Sequence, residues 1–220
     1  GGRLVDEKNQ VAINSPETIK AIEYMQQLSK TFIEGVAGWS GVSNNNAFLE
    51  GKISLTSNGI SIYYAAKNST DPAKKAVAAD TDHTPMIVGP IGRPTELHLL
   101  SQAMVFKYGK YPNAAKEFLR FMWEREQYEP WQAASLGYVS HPLKAYDSNK
   151  FWNDDPKFAP FKGVVARLQP HSYGGSLGYA SAACLADWIV VDMFASACVG
   201  QKSPKEAAAE AEKRAKRYYS

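Results

Sequence analysis

The sequence Phe48-Leu-Glu-Gly51-Lys-Ile-Ser-Leu-Thr-Ser-Asn58-Gly59 places three structural signals in direct succession. It predicts a helix that ends at a glycine, a short strand over residues 52–57 and a turn formed by the Asn-Gly pair. The residues after the turn have helical spacing, so the prediction is strand, turn and helix rather than a β-hairpin. The stretch therefore indicates a fold in which strands are followed by helices.

The alternation of strand and helix signals continues along the chain. The predicted elements are strands at residues 52–57, 86–89 and 96–106, a helix at residues 113–124 and a second helix through Trp131. In the first strand, Ile53 and Leu55 are predicted to face inward. Strands that alternate with helices indicate the α/β class. Open α/β sheets bind their ligands at the carboxyl ends of strands, which points to residues 58–64.

Both ends of the chain carry helix-start signals. Near the N-terminus, Asn14 is predicted to cap a helix that has Pro16 in its first turn and Glu17 as its third residue. Near the C-terminus, Ser203-Pro-Lys-Glu206 is a capping box with proline at the first helical position. The sequence therefore predicts one amphipathic helix at each end.

The longest apolar stretch runs from Ala182 to Val199 and is predicted to form one buried helix. Its length approaches that of a membrane span, but Asp187 and Asp192 would each cost about 2.5 to 3.5 kcal/mol at a bilayer centre. Cys184 and Cys198 are the two cysteines of this stretch. A helix rises about 1.5 Å per residue, so in one continuous helix they lie too far apart for a disulfide bond. They are interpreted as small buried hydrophobic residues.

Composition excludes one class of partner. The chain has 220 residues, 45% of them hydrophobic, and a net charge of +3 with acidic and basic residues interspersed. The hydrophobic content is typical of a globular protein with a sizeable core. Outside the C-terminal tail, no cluster of Lys and Arg exceeds two or three residues, so the sequence predicts no nucleic-acid partner.

A hydrolase is the alternative that the sequence leaves open. Gly174-Gly-Ser176-Leu-Gly178 matches the G-x-S-x-G motif, in which a strand precedes the nucleophilic serine and a helix follows it. That motif also needs a histidine later in the chain, whereas all four histidines precede Ser176. A hydrolase that uses this serine is therefore the weaker hypothesis.

The sequence gives little support to a metal site or to a glycosidase active site. No two histidines have the spacing of metal ligands, and neither cysteine has a second ligand nearby in the sequence. A glycosidase needs two carboxylates that face each other across a cleft. Asp154 and Asp155 are adjacent, so their side chains point in different directions, and they are predicted to cap a helix that starts at Pro156. Glu96, Asp187 and Asp192 could form such a pair only through folding, so a carboxylate-dependent hydrolase stays an alternative. We predict no metal, no cofactor and no catalysis.

Several segments, taken in order, resemble one protein family. The segments are Gly1-Gly2 with Leu4-Val5-Asp6, Asn14-Ser15-Pro16-Glu17, the run from Phe48 to Gly59, Pro90 with Gly92, Asn113 to Met122, Trp188, and Gly200 to Ala207. Together they resemble the C-terminal half of an extracellular solute-binding protein of a carbohydrate ABC transporter, of the maltose-binding-protein-like type. The resemblance implies a periplasmic binding protein type II fold, here a fragment that lacks most of the N-terminal lobe. It further implies that residues 1–88 belong to the C-terminal lobe, 89–150 cross into the N-terminal lobe, and 151–220 return.

The resemblance also implies a set of ligand contacts. Trp188 and Asp187 would offer an aromatic face and a planar polar group, the two things that a pyranose ring needs. Ser61 stands where some members of the family have a tryptophan, and Glu96 and His98 stand where many have glycines. The full set of implied contacts is Trp188, Asp187, Asn58, Ser61, Tyr63, Tyr64, Glu96, His98, Tyr173, Gly174, Gly175 and Trp39.

The function implied by the resemblance is binding without chemistry. The protein would hold a carbohydrate or polyol between two lobes and deliver it to the permease subunits of an ABC transporter. It would act in the periplasm or another extracytoplasmic space, as a monomer when full length. A lectin-like module that binds without lobe motion is a third possibility.

Overall fold

The structure is a computed structural model that describes residues 1–97, 101–140 and 143–219. Its α-helices are α1 (Pro16–Ser29), α2 (Ser43–Leu49), α3 (Ser61–Lys67), α4 (Pro72–Asp80), α5 (Pro112–Met122), α6 (Arg125–Ala134), α7 (Tyr179–Ala186), α8 (Ile189–Cys198) and α9 (Pro204–Ala215). Two short strands, β1 (Glu96–Leu97) and β2 (Leu168–Gln169), pair in parallel. In that pairing Glu96 is aligned with Leu168, and Leu97 with Gln169.

The chain divides into two compact units. Unit 1 contains residues 1–40, 88–98 and 168–220, and unit 2 contains residues 41–87 and 99–167. Both β-strands belong to unit 1. The assignment of residues 1–88, 89–150 and 151–220 to the lobes of a longer protein stays a prediction.

Unit 1 is held together by helices α1, α8 and α9, which pack on one another. One face of α9 consists of buried alanines, which let the helices approach closely: Ala207, Ala208, Ala211 and Ala215. Ile22 of α1 and Ile189 of α8 are completely buried in the same core. Polar bridges tie the elements together, because the Asn14 amide donates to Glu212 at 2.8 Å and the Gln26 amide donates to the Ala197 carbonyl at 2.8 Å.

The helix starts confirm one prediction and correct another. At α9, Ser203 and Glu206 form the predicted reciprocal capping box. At α1 the predicted cap, Asn14, is wrong. Ser15 is the N-cap, with its hydroxyl oxygen accepting from the Thr18 N–H at 3.2 Å, while Asn14 bonds to α9 instead.

Unit 2 has an aromatic core. Tyr63, Phe151, Trp152 and Phe158 are buried together, with Ile60 beside them. The rings meet at defined angles: Phe151 stacks on Phe158 with 4.5 Å between centroids, and Tyr63 meets Phe158 edge to face at 6.0 Å. Asp155 caps the short 3-10 helix Pro156–Phe161 by accepting from the Lys157 N–H at 3.0 Å, as predicted.

Two predicted strands are wrong. Residues 52–57 and 86–89 contain no strand, and within the described residues the β1–β2 pair is the only strand pairing. Leu55, predicted to face inward, is 83% exposed, Ile53 is half-buried, and Ile87 is 87% exposed. A strand needs a neighbouring backbone to satisfy its N–H and C=O groups, and in the described residues no strand pairs with either segment. Of the strand predicted over 96–106, only β1 forms within the described residues.

The single helix predicted across Ala182–Val199 is also wrong. Trp188 adopts a left-handed backbone conformation (φ 54°, ψ 25°) and separates α7 from α8. Tyr179–Cys198 has the length and apolar composition of a membrane span, but only 28% of its most apolar part is buried. The prediction that this stretch is buried is therefore wrong for most of it. Cys184 is buried, as predicted, whereas Cys198 is half-buried, and both are free thiols in this structure.

Candidate functional site

A cluster of polar side chains forms around Asn58, three residues before helix α3 in unit 2. The Asn58 amide donates to the Asn45 side-chain oxygen at 2.6 Å and to the Ser61 hydroxyl at 3.3 Å. The Asn45 amide also donates to Ser61, at 3.1 Å. Asn58 is exposed, and its side-chain oxygen accepts from the Gly59 N–H at 2.8 Å. The predicted turn at Asn58-Gly59 is wrong, because neither residue lies in a turn. The cluster therefore offers ordered amide and hydroxyl groups at the surface.

An aromatic pair lies next to these polar groups. Tyr64 is one turn along α3 from Ser61, and residues three apart on a helix share a face. The Tyr64 ring lies 6.3 Å from the Tyr138 ring, at an angle of 48°. Tyr64 is 38% exposed and Tyr138 is 60% exposed. Partly exposed rings beside ordered amides have the chemistry that recognises a sugar ring and its hydroxyls.

Tyr63, the neighbour of Tyr64, has a structural position. It is buried, and its hydroxyl donates to Asp155 Oδ2 at 2.6 Å, while the Lys67 ammonium donates to the same oxygen at 3.0 Å. Burial alone would raise the pKa of Asp155, but hydrogen bonds donated to its carboxylate, first that of Tyr63, lower the pKa to about 2. Burial and the bond to Asp155 raise the pKa of Tyr63. The Tyr63 side chain is therefore part of the core of unit 2.

Trp188 and Asp187 lie at the junction between α7 and α8 in unit 1. Trp188 is 62% exposed, so its indole is available at the surface. The Asp187 carboxylate accepts from the Tyr218 hydroxyl at 2.7 Å, and its backbone carbonyl accepts from Arg214. The bond to Asp187 raises the pKa of Tyr218. The left-handed φ is uncommon for a large aromatic residue, and such conformations cluster at binding sites.

Tyr173, Gly174 and Gly175 form a turn in unit 1 that is packed against residues 3–9. The resemblance implied that these glycines let a ligand approach the backbone. In the structure the close approach is to the chain itself, because a Cβ on Gly174 would lie 2.7 Å from the Val5 carbonyl oxygen. A Cβ on Gly175 would lie 2.5 Å from the Val5 side chain. Gly174 has φ +109°, which side chains rarely adopt.

The remaining predicted contacts are dispersed. Glu96 lies in β1 and is half-buried, and Trp39 is half-buried at the end of a short 3-10 helix in unit 1. His98 lies outside the described residues. Trp188 and Asn58 belong to different units, so the prediction that they share one groove stays a prediction.

The local structure around Ser176 differs from that of a hydrolase nucleophile. Turns precede it rather than a strand, and α7 begins three residues later. Its hydroxyl accepts from the Asn9 amide at 3.3 Å, and its N–H donates to the Asn9 side-chain oxygen at 2.7 Å. Within residues 1–97, 101–140 and 143–219, no group of three or more His, Cys, Asp or Glu side chains is placed to hold a metal.

A groove of about 400 Å³ in unit 1 has none of the predicted ligand contacts in its lining. It lies between α8 and α9, with Met193 and Ala211 at its apolar side. The charged side chains of its lining pair with one another. Arg214 pairs with Asp192 at 2.7 Å, and Lys202 pairs with Glu210.

The structure thus brings together Asn58, Ser61 and Tyr64, and it adds two residues that sequence reasoning missed, Asn45 and Tyr138. The three consecutive asparagines from Asn44 to Asn46, which lie in α2, were a usable signal. Tyr138 could not be predicted in the same way, because it contacts Tyr64 although more than seventy residues separate the two in the sequence.

Comparisons with known proteins agree with the resemblance. The family described as bacterial extracellular solute-binding protein matches residues 1–160. Two crystal structures of a candidate oligosaccharide periplasmic-binding protein from Synechococcus sp. MITs9220 are similar, one of them in complex with zinc. The zinc complex has a TM-score of 0.66 at 15% identity, and the other structure 0.62 at 17%. No curated protein matches the chain.

Both structures cover all of this chain, whereas the chain covers 55% of each of them. The chain therefore spans about half the length of its structural relatives. At these identities the likeness establishes the fold, so the predicted periplasmic binding protein fold of the α/β class is confirmed, in a helix-rich form.

Proposed function

This chain belongs to the family of bacterial extracellular solute-binding proteins, and we propose that it binds a carbohydrate or polyol for transport without changing it chemically. The observation that supports this most strongly is the placement of Asn45, Asn58 and Ser61 beside the Tyr64–Tyr138 pair. Amides hydrogen-bond sugar hydroxyls, and aromatic faces pack on the C–H face of a pyranose.

The amides at this site are well suited to bind rather than to react. Asn58 and Asn45 are held by each other and by Ser61, so little side-chain freedom is lost when a ligand is bound. An amide side chain does not gain or lose a proton near neutral pH, whereas a general acid or base has to do so. Trp188 is a second exposed ring that a ligand could contact in unit 1.

In the whole protein we propose a binding cycle. A ligand that two lobes contact at once favours their closed arrangement, because only that arrangement makes both sets of contacts. The closed form would then deliver the sugar to the permease subunits of an ABC importer, from the periplasm or another extracytoplasmic space. The binding protein would act as a monomer.

The test is a thermal-shift screen of the whole gene product against mono-, di- and oligosaccharides and polyols. A ligand that binds only the native state raises the unfolding midpoint, by an amount that grows with its concentration. Tyr64→Ala and Asn58→Ala are expected to reduce this shift, while Tyr24→Ala, which removes a 68% exposed ring from α1, is expected to leave it unchanged.

The proposal would be wrong if no saccharide or polyol raised the midpoint, or if all three variants responded like the unmodified protein. Turnover is tested on the same samples, because chromatography of the recovered ligand separates intact saccharide from cleaved saccharide. A product would favour the hydrolase alternative, and Ser176→Ala would then abolish its formation.

A further inference from the structure

Tyr173 has two guanidinium groups at its ring. The Arg93 guanidinium carbon lies 4.7 Å from the ring centroid, and that of Arg3 lies 5.8 Å from it. Cations are attracted to aromatic rings within about 6 Å, so both positive charges interact with the same ring. Tyr173 is half-buried, whereas both arginines are exposed. Both charges therefore lie at one half-buried ring and are open to solvent.

The turn that carries Tyr173 is fastened to the segment that carries Arg3. A Cβ on Gly174 would lie 3.1 Å from Arg3 Cδ, so the missing side chain makes room for the arginine stem. Asn9 bonds both the N–H and the hydroxyl of Ser176, which closes the other side of the turn. Groups held in this way lose little freedom when they bind a ligand.

Within the described residues, neither guanidinium of this pair has a strong carboxylate partner. Arg3 approaches Glu7 only to 3.8 Å, and the Glu7 side chain is 87% exposed, so this pair is weak. The Asp6 carboxylate accepts from the backbone N–H groups of Lys8 and Gln10, at 2.8 and 2.9 Å. In the part of the chain that the structure describes, Arg93 has no carboxylate partner.

We propose that Arg93 and Arg3, positioned by Tyr173, bind the carboxylate of a uronic-acid unit, so that the ligand is an acidic oligosaccharide. This inference rests on the proposed carbohydrate binding and names its substrate class. A guanidinium presents a planar pair of donors that matches the two oxygens of a carboxylate. A neutral sugar would bring no counter-ion to the two charges.

The test measures the affinity of the whole gene product for trigalacturonate, its methyl ester and maltotriose by titration calorimetry. The ester keeps the sugar rings and removes the charge. Trigalacturonate is expected to bind about tenfold to a hundredfold more tightly than the ester, the range of a hydrogen-bonded charged group. High salt is expected to reduce this difference, since exposed charges are screened.

Three variants assign the difference to the site. Arg93→Gln leaves Arg3 in place and is expected to remove most of the difference between trigalacturonate and its ester, and Arg93→Lys, which keeps the charge but not the planar donors, is expected to remove less of it. Arg217→Gln makes the same change of charge at an exposed position just beyond α9, and it is expected to change nothing.

The outcomes separate this inference from the proposed function. Equal binding of acid and ester, binding of maltotriose alone, or full trigalacturonate affinity in Arg93→Gln would overturn the acidic-ligand inference and leave saccharide binding in place. Absence of binding by every saccharide tested, in this titration and in the thermal-shift screen, would overturn both.

Discussion

The cores of the two units are made of different side chains. Unit 1 has an aliphatic core in which four alanines of α9 face α1 and α8. Unit 2 has an aromatic core of Tyr63, Phe151, Trp152 and Phe158. Alanines allow helices to pack closely whatever the rotamers of their neighbours, whereas rings pack well only at particular angles and distances. Unit 2 therefore depends more on the precise placement of each residue.

The charged groups differ in the same way. In unit 1 the ion pair of Arg214 with Asp192 is at the surface, with the Asp192 side chain 54% exposed. In unit 2 the Asp155 carboxylate is only 16% exposed and receives hydrogen bonds from Tyr63 and Lys67. Exposed ion pairs contribute little to stability, whereas a buried pair that loses one partner is strongly destabilising. The comparison predicts that unit 2 is the more sensitive to substitution and to acid.

The largest effect is expected from the aromatic core. Phe158→Ala removes a ring that is 2% exposed, and it is expected to lower the free energy of unfolding by about 3 to 5 kcal/mol through lost burial and a cavity. Phe118→Ala is the matched control on α5, where the ring is 60% exposed, and a change within about 0.5 kcal/mol is expected. Urea unfolding followed by tryptophan fluorescence measures both, and equal losses would contradict an aromatic core in unit 2.

A smaller effect is expected at Asp155. Its folded pKa of about 2 lies below its ordinary value of 3.8, so the unfolded chain takes up the proton first on acidification. The stabilisation of about 2 kcal/mol is thus complete above about pH 5 and is lost as the pH falls towards 2. Burial lowers the pKa of His83 in the same unit, which acts in the same direction at higher pH, because the folded form disfavours the charged ring.

Asp155→Asn is expected to remove the acid-dependent step between about pH 5 and 2, and it keeps a side chain that can still cap the 3-10 helix. Asp154→Asn changes the exposed neighbouring carboxylate and serves as the control. The free energy of unfolding of both variants and of the unmodified protein is measured across this pH range. A step that persists in Asp155→Asn would mean that other carboxylates govern the acid response.

The smallest effect on the free energy of unfolding is expected at Trp188, where two substitutions distinguish backbone strain from side-chain packing. Trp188→Gly is expected to raise the free energy of unfolding by about 0.5 to 1 kcal/mol, because glycine adopts the left-handed conformation without the penalty of a side chain. Trp188→Ala keeps that penalty and removes a 62% exposed ring, so its change is expected to be nearer zero. If both variants lost several kcal/mol, the indole would be a core residue rather than an exposed one.

Local signals predicted most of the helices. The Ser203–Glu206 capping box needs only side chains three residues apart, and the structure contains it as predicted. The end of α2 follows the same logic, since Gly51 adopts a positive φ just after the helix. Such features depend on a few neighbouring residues, and the sequence contains all of them.

Features that depend on distant partners were predicted less well. The strand predicted at residues 52–57 has the right alternation, but a strand forms only against another strand, and Leu55 is exposed. Tyr63 and Tyr64 are adjacent, and only the approach of Asp155 from far along the chain makes one a core residue and leaves the other exposed. Asn58, Ser61 and Tyr64 of the candidate site in unit 2 were therefore predicted from the sequence, and their partners Asn45 and Tyr138 were not.

Binding without chemistry is tested by one titration of the whole gene product with the saccharide that gives the greatest thermal shift, followed by chromatography of the recovered ligand. We expect saturable binding at one site, abolished or strongly weakened by Tyr64→Ala together with Asn58→Ala, and recovery of the saccharide intact. Saccharide that comes back cleaved, or binding that the double substitution leaves unchanged, would contradict the proposal that these residues of unit 2 hold a transported sugar.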